Sequence, residues 1–327
     1  MLTRRRTLTA LLAAATAAVA AAGAETDGTL RLGAISGGSP MAPDSPNGKI
    51  LIGALADLGY TVGRNLSFQG RGAMAQVGKL PGLIDDLKAQ GAQILIAAGY
   101  PTAAAGKTAG LPTVIYTGAG DPVATGLIES WAHPGGVVTG ISDDAATLTV
   151  KRLEFLKAFS PGMKRVAMLW NADDRAMTLR YEASAATAQT RGLVVQPHGV
   201  REPNDFDGAF KAMDSDKPDA ILMVSDALMV LNRKRVFDFA AERRLPAIYE
   251  SDNYARDGGL MSYGADLRES LTRAASMIDR IFRGAKPGDI PFEQPTRYLF
   301  VVNLKTARAI GLEPPVTLLA LADEVIE

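Results

Sequence analysis

Residues 219–224 read DAILMV, a continuous apolar run that is followed by Ser225 and Asp226. A run this short, without polar alternation, predicts a strand that is covered on both faces, as in a parallel sheet. Further strands are predicted at residues 29–36 (TLRLGAIS), 93–97 (QILIA), 113–117 (TVIYT) and 165–170 (RVAMLW), with helical patterns between them. The alternation predicts an α/β fold with parallel sheets.

The pattern of strands occurs twice. The predicted strands at residues 165–170, 193–196, 219–224, 247–249 and 259–263 each lie about 120 to 135 residues after a counterpart in the first half. The 327 residues also exceed the usual size of a single core. We therefore expect two Rossmann-like, doubly wound lobes, with one large sheet as the alternative. An amphipathic helix at residues 267–283, a strand at 298–302 and helices at 304–310 and 316–322 follow, so the chain can cross between the lobes more than once.

The first residues predict export. Arg4, Arg5 and Arg6 precede an apolar run over residues 8–20, and Ala22-Gly23-Ala24 offers the small residues of a cleavage site. The run is shorter than the about 20 strongly apolar residues that span a bilayer. We expect a signal peptide at residues 1–24, the alternatives being a start-transfer anchor or an amphipathic N-terminus. The arginines fit both the general secretory and the twin-arginine route.

Composition excludes several classes of function. The chain has no cysteine, so no lipid can be attached at the cleavage site, and we expect a free periplasmic protein. Cleavage removes three arginines and no acid, which lowers the formal net charge from zero to −3 and disfavours nucleic-acid binding. With only His133 and His198, we expect no metal, no cofactor and no catalytic residues.

Polar and aromatic residues follow the predicted strands, at the sheet edge where ligands bind in open α/β folds. The candidate ligand-binding residues are Ser36, Ser39, Tyr100, Thr102, Asp121, Trp170, Asn171, Asp226, Tyr249 and Tyr263. Each has a structural alternative. Ser36, Ser39, Thr102 and Asp121 are also suited to helix capping, Trp170 to core packing, and Glu250 is expected to be solvated. Asp226 ends a very apolar strand, where an acid without a cationic partner is costly.

Several motifs together resemble a known family. They are GDPV at 120–123, PGG at 134–136, TG at 139–140, LWN at 169–171, GGLMSYG at 258–264, EQPT at 293–296, NLKTA at 303–307 and ADEVI at 322–326. The chain resembles the substrate-binding proteins of ABC importers, in the subfamily related to tryptophan- and tyrosine-binding lipoproteins. The resemblance spans residues 29–327.

The resemblance implies a type I periplasmic-binding fold with three crossovers between the lobes. Lobe 1 would comprise residues 29–142 and 265–290, and lobe 2 residues 143–264 and 291–327. It also implies a monomer that captures a small solute by hinge closure and delivers it to an inner-membrane ABC permease. It implies neither an enzyme nor stable membrane insertion. The alternative is an exported sensor that presents its solute to a membrane receptor.

An amino acid or a related carboxylate is the expected solute. We expect the loops at residues 36–39 and 100–102 to bind its carboxylate, Asp226 to meet its amino group, and aromatic side chains to form the walls. The sequence departs from the family pattern at Tyr100, Ala172, Ala227 and residues 250–254 (ESDNY). These departures leave the identity of the solute open.

Overall fold

The computed structural model describes residues 28–142 and 145–327. The predicted signal peptide, residues 1–24, lies outside the described residues. No helix in the described ranges is long and apolar enough to cross a membrane.

Lobe 1 is built on a five-stranded parallel sheet with the strand order β2-β1-β3-β4-β5. Its strands are β1 (Leu30–Ser36), β2 (Leu66–Gly72), β3 (Ile94–Ala98), β4 (Thr113–Thr117) and β5 (Val138–Gly140). Its connecting helices are α1 (Pro46–Asp57), α2 (Leu80–Ala89) and α3 (Tyr100–Thr108).

Lobe 2 is built on a seven-stranded sheet with the order β12-β11-β10-β9-β8-β6-β7, in which only the β10–β11 pair is antiparallel. Its first part contains α4 (Ala145–Phe159), β6 (Arg165–Asn171), α5 (Arg175–Thr190), β7 (Val194–Val200), α6 (Asp205–Asp216) and β8 (Ala220–Met223). It continues with α7 (Ala227–Glu242), β9 (Ala247–Tyr249), α8 (Asp252–Arg256) and β10 (Met261–Ala265). After α9 (Leu267–Phe282), the chain adds β11 (Tyr298–Asn303), α10 (Leu304–Ala309), α11 (Val316–Leu319) and β12 (Glu324–Ile326).

The central strands of both sheets are buried because helices cover both of their faces. All four residues of β8 are fully buried, as its unbroken apolar sequence predicts. Each lobe places one apolar cluster on either side of its sheet. The predicted fold class, α/β with two doubly wound lobes, is confirmed.

The chain crosses between the lobes three times, and the crossing segments lie side by side. The first crossing follows β5, the second joins β10 to α9, and the third leads into β11. Ile141 in the first crossing pairs with Glu293 in the third. The Asp266 amide in the second donates to the Arg297 carbonyl in the third over 3.0 Å. Backbone hydrogen bonds therefore tie the three segments into one connection.

Helix α9 belongs to lobe 1, although β10 in lobe 2 immediately precedes it. It packs on α1, β3 and β4 and buries Leu271, Ala275 and Ile278 in the lobe 1 core. These three residues lie on the apolar face that the spacing in the sequence predicts. The chain thus returns to lobe 1 before its last strands join lobe 2.

The predicted element bounds differ from the structure mainly near the C-terminus. The helix predicted over residues 316–322 ends at Leu319, and residues 324–326 form the edge strand β12. Strand β7 extends to Val200, although its prediction ended at residue 196, because the whole strand pairs with β6. The residue bounds proposed for the two lobes stay a prediction.

Replacing Leu271 by alanine tests how firmly α9 is anchored in lobe 1. Leu271 has no exposed surface, so its truncation leaves a cavity, and we expect a loss of about 2–5 kcal/mol in the free energy of unfolding. Urea denaturation measures this loss. Ser276→Ala, at an exposed position of the same helix, is the control and should change stability by less than about 0.5 kcal/mol. Equal effects of both substitutions would contradict the anchoring of α9.

Candidate functional site

A cavity of about 70 Å³ lies where the two lobes meet the crossing segments. The end of β4 in lobe 1 forms one part of the wall, with Tyr116, Thr117 and Gly118. The crossing segments and α9 form a second part, with Ile141, Ser142, Ala265, Leu267, Ser270 and Pro295. Lobe 2 contributes Arg180, Ser225, Glu250 and Ser251. The cavity therefore lies at the carboxyl ends of β4, β8 and β9, where open α/β sheets bind their ligands.

The Glu250 carboxylate organises the lobe 2 side of the cavity. Its side chain is 7% exposed, and Oε1 lies 2.7 Å from Nη1 of the fully buried Arg152 and 3.5 Å from Nη1 of Arg180. Its Oε2 accepts a hydrogen bond from the Ser225 amide over 3.0 Å. One carboxylate thus joins α4, α5 and the loop after β8.

Arg152 extends the same network to β10. Its Nε donates to the Tyr263 carbonyl over 2.8 Å, in addition to the ion pair with Glu250. Removing one partner of such a buried pair leaves a charge without compensation, which costs about 3–5 kcal/mol. The expectation that Glu250 is solvated is therefore corrected, because Arg152 and Arg180 approach its carboxylate from two helices.

Asp226 lies beside this wall, but it is not among the described residues that line the cavity. It caps α7, accepting a hydrogen bond from the Met229 amide over 2.9 Å and another from the Asn171 side chain. Burial raises the pKa of Asp226. Its two oxygens serve the helix cap and Asn171, and its predicted contact with an amino group stays a prediction.

Asp174 forms a second buried cap next to Asp226. Its carboxylate accepts hydrogen bonds from the Ala176 and Met177 amides at the start of α5, over 2.9 and 3.3 Å. Burial, and then the charge of Asp226, raise its pKa to about 7. Asp174 was not predicted as a site residue, although an acid directly before a helix is typical of an N-cap.

The two loops predicted to bind a carboxylate have mainly local roles in lobe 1. The Ser36 hydroxyl accepts a hydrogen bond from the Gly38 amide over 3.0 Å, and Ser39 is exposed. Thr102 has no exposed surface, and its hydroxyl lies 2.7 Å from the Gly99 carbonyl and 2.9 Å from that of Ala98. Neither set of bonds caps a helix, because Thr102 donates to backbone carbonyls and the N-cap of α3 is Gly99, which has no side-chain cap.

Asp121 and Tyr100 also lie outside the cavity wall described above. Asp121 is exposed and caps a turn, accepting hydrogen bonds from the Val123 and Ala124 amides over 3.0 Å. Tyr100 begins α3 and packs against apolar clusters of both lobes. Tyr100 is therefore a contact between the lobes.

Three aromatic side chains predicted to form walls of the site, those of Trp170, Tyr249 and Tyr263, pack on other aromatic side chains of lobe 2. Trp170 is 9% exposed and stacks on Tyr181 of α5, with ring centroids 3.7 Å apart. Tyr249 is 1% exposed and stacks on Tyr254. Tyr263 meets Phe155 of α4 edge to face at 5.3 Å. Among the described residues, the aromatic side chain that lines the cavity is Tyr116 of β4, which was not predicted from the sequence.

Arg180 and Ser270 were also not selected, because both lie inside helices. Strand-end reasoning identifies loops such as those containing Gly118, Ser225 and Glu250, all of which line the cavity. It gives no reason to choose one arginine of α5 or one serine of α9. A usable signal would have been a polar residue on the buried face of an amphipathic helix, since Ser270 lies between Leu267 and Leu271.

Comparison with known proteins defines the class. The tyrosine-binding protein of Clostridioides difficile (strain R20291) is 25% identical over 268 residues, which cover 81% of this chain and 76% of the relative. The crystal structure of an ABC domain in complex with L-Trp from Streptococcus pneumonia is similar with a TM-score of 0.81 and 24% identity, covering 91% of this chain and 100% of that chain. A conserved domain protein from Vibrio cholerae matches with a TM-score of 0.83 and 22% identity, at the same coverage. The type I periplasmic-binding fold is confirmed.

A family model described as ABC transporter substrate binding protein matches residues 47–326. The chain therefore belongs to the ABC transporter substrate-binding protein family, as its motifs indicated. This family is a class of solute-binding proteins and not a class of enzymes.

The raised pKa of Asp174 predicts a pH dependence of stability. Its pKa is about 7 in the folded protein, against about 3.9 in an unfolded chain, so its stabilising contribution is lost as the pH rises through about 7. This group alone should make the protein about 2 kcal/mol more stable at pH 5.5 than at pH 8.

Asp174→Asn keeps the helix cap and removes the titration. We expect the difference in unfolding free energy between the two pH values to shrink by that amount in urea denaturation. An unchanged difference in the variant would contradict the assignment to Asp174.

Proposed function

We propose that the protein is the periplasmic solute-binding component of an ABC importer and that it binds an aromatic amino acid between its lobes. The observation that carries this proposal is the cavity itself, which combines an arginine and a glutamate from lobe 2 with Tyr116 of lobe 1 and Leu267. The arginine suits the carboxylate of a solute, and Tyr116 and Leu267 suit an apolar side chain. The tyrosine-binding relative and the L-Trp complex support the same class of solute.

Hinge closure is the proposed mechanism. The cavity of about 70 Å³ is bounded by both lobes, so an aromatic solute would enter it only after the lobes separate. The crossing segments, which lie side by side, provide one axis about which the lobes can separate. Solute would bind to one lobe first, and the second lobe would then close on it.

Small residues lie at two contacts between the lobes. A Cβ placed on Gly37, in the loop after β1, would lie 3.0 Å from the Cβ of Ala227 at the start of α7. A Cβ on Gly120, which has a φ of 64°, would lie 2.9 Å from the Cβ of Ala176 at the start of α5. These contacts allow lobe 1 to rest directly on the first turns of two lobe 2 helices.

The expected partner is an inner-membrane ABC permease, which would receive the solute from the closed form. The protein would act as a monomer in the periplasm and would have no catalytic function.

Isothermal titration of the purified protein with L-tryptophan, L-tyrosine, L-leucine and L-glutamate tests the proposed solute class. We expect binding of at least one aromatic amino acid and much weaker binding of L-glutamate, whose second carboxylate would be buried at a cost. Binding of L-glutamate with no binding of an aromatic amino acid would contradict the proposal.

Ala227→Leu tests closure. The larger side chain would collide with Gly37 only when the lobes are closed, and overpacking of about 1–3 kcal/mol should lower the affinity about 5- to 100-fold. The melting temperature without solute should stay nearly constant. The control is Ala186→Leu at an exposed position of α5, which should leave the affinity unchanged. Equal affinities of both variants and the original protein would argue against a closed binding state with this contact.

A further inference from the structure

We propose that Arg180 and Ser270 bind the carboxylate of the solute from opposite lobes, and that Glu250 is the positioning residue that holds Arg180 in place. This assignment rests on the proposed function, because it requires a solute with a carboxylate in the cavity between the lobes. The carboxylate of the solute would then contact both lobes in the closed form.

Arg180 supplies the charge on the lobe 2 side. Its side chain is 2% exposed, yet it lines the cavity, and it lies in the second turn of α5. A guanidinium presents its N–H donors in a planar fork that matches a carboxylate, and it stays protonated when buried. An arginine in the wall of a small closed cavity therefore favours an anionic group of the solute at that point.

Ser270 supplies a donor on the lobe 1 side. It is 1% exposed and lines the same cavity, and its hydroxyl has no hydrogen-bond partner among the described residues. A buried hydroxyl without a partner costs free energy, which a solute oxygen would recover by accepting its hydrogen bond. Ser270 belongs to α9, whose neighbours are in the lobe 1 core, so this donor moves with lobe 1.

Glu250 is suited to positioning and not to direct binding of an amino group. Its Oε1 faces Arg152 and Arg180, and its Oε2 accepts from the Ser225 amide. Arg152 is the closer cation, at 2.7 Å against 3.5 Å for Arg180. Arg152 is therefore the main counterion of Glu250, and the longer contact of Glu250 with Arg180 orients the Arg180 guanidinium.

The consequence is a preference for acids over amides. A solute that lacks the carboxylate could still fill the apolar part of the cavity, but it would not connect Arg180 to Ser270. The original protein should therefore bind L-tryptophan about 10- to 100-fold more tightly than L-tryptophanamide, as for a hydrogen bond to a charged group. If L-tyrosine is the better solute, L-tyrosine and L-tyrosinamide form the equivalent pair.

Isothermal titration of full-length variants with both members of the pair is the test. Arg180→Gln should lower the affinity for the acid about 10- to 100-fold and leave that for the amide within a few-fold, so that the acid-to-amide ratio approaches one. Arg180→Lys, which keeps the charge but not the fork, should give an intermediate ratio and serves where the glutamine variant is unstable. Ser270→Ala and Glu250→Gln should each lower the ratio by a smaller factor.

Two controls match the variants. Arg191→Gln changes an exposed arginine at the end of α5, and Ser276→Ala changes an exposed serine of α9. Both should keep the ratio of the original protein, and thermal melting establishes that every variant is folded.

The outcomes are distinct. A ratio that stays high in a folded Arg180 variant overturns the carboxylate assignment and leaves the proposed function intact. A ratio unchanged in Glu250→Gln overturns the positioning role. If the original protein binds no aromatic amino acid, the proposed solute class fails and the carboxylate assignment fails with it.

Discussion

The wall of the candidate site on lobe 2 depends on one buried ion pair, between Arg152 and Glu250. A carboxylate that is 7% exposed is tolerated only because a guanidinium lies 2.7 Å away and the Ser225 amide satisfies the second oxygen. The pair joins α4 to the loop after β9, and Arg152 also holds the carbonyl of Tyr263 in β10. The ends of three strands, β8, β9 and β10, are therefore fixed relative to two helices, which is the rigid support that a binding site needs.

The second constraint is the path of the chain between the lobes. Because α9 follows β10 but packs in lobe 1, the segments on both sides of it must cross the same gap. The pairing of Ile141 with Glu293 and the bond from Asp266 to Arg297 keep these crossings together. A single connection of this kind suits the hinge closure that we propose. It also places Ser142, Leu267 and Pro295 in the wall of the cavity, where they would contact a bound solute.

The sequence predicted the fold far better than the site. Strands and helices are predicted from local patterns, such as the continuous apolar residues 220–223 and the spacing of Leu271, Ala275 and Ile278. These patterns do not depend on tertiary contacts, so they identify the elements of both lobes. The position of a strand end can also be predicted from the sequence, and Gly118, Ser225 and Glu250, which follow strands, line the cavity. The direction of a side chain at that end depends on its neighbours, which is why Tyr249 and Trp170 point into the core and Asp226 serves as a helix cap. Arg180 and Ser270 could be identified only from the structure, because tertiary packing brings their helices to the same cavity.

A crystal structure of the protein with L-tryptophan or L-tyrosine tests the central claim most directly. We expect the amino acid between the lobes, with its carboxylate within hydrogen-bond distance of Arg180 and Ser270 and its ring near Tyr116 and Leu267. The lobes should enclose it, with Gly37 against Ala227. A solute bound outside this cavity, or bound with its carboxylate directed away from Arg180, would contradict the account.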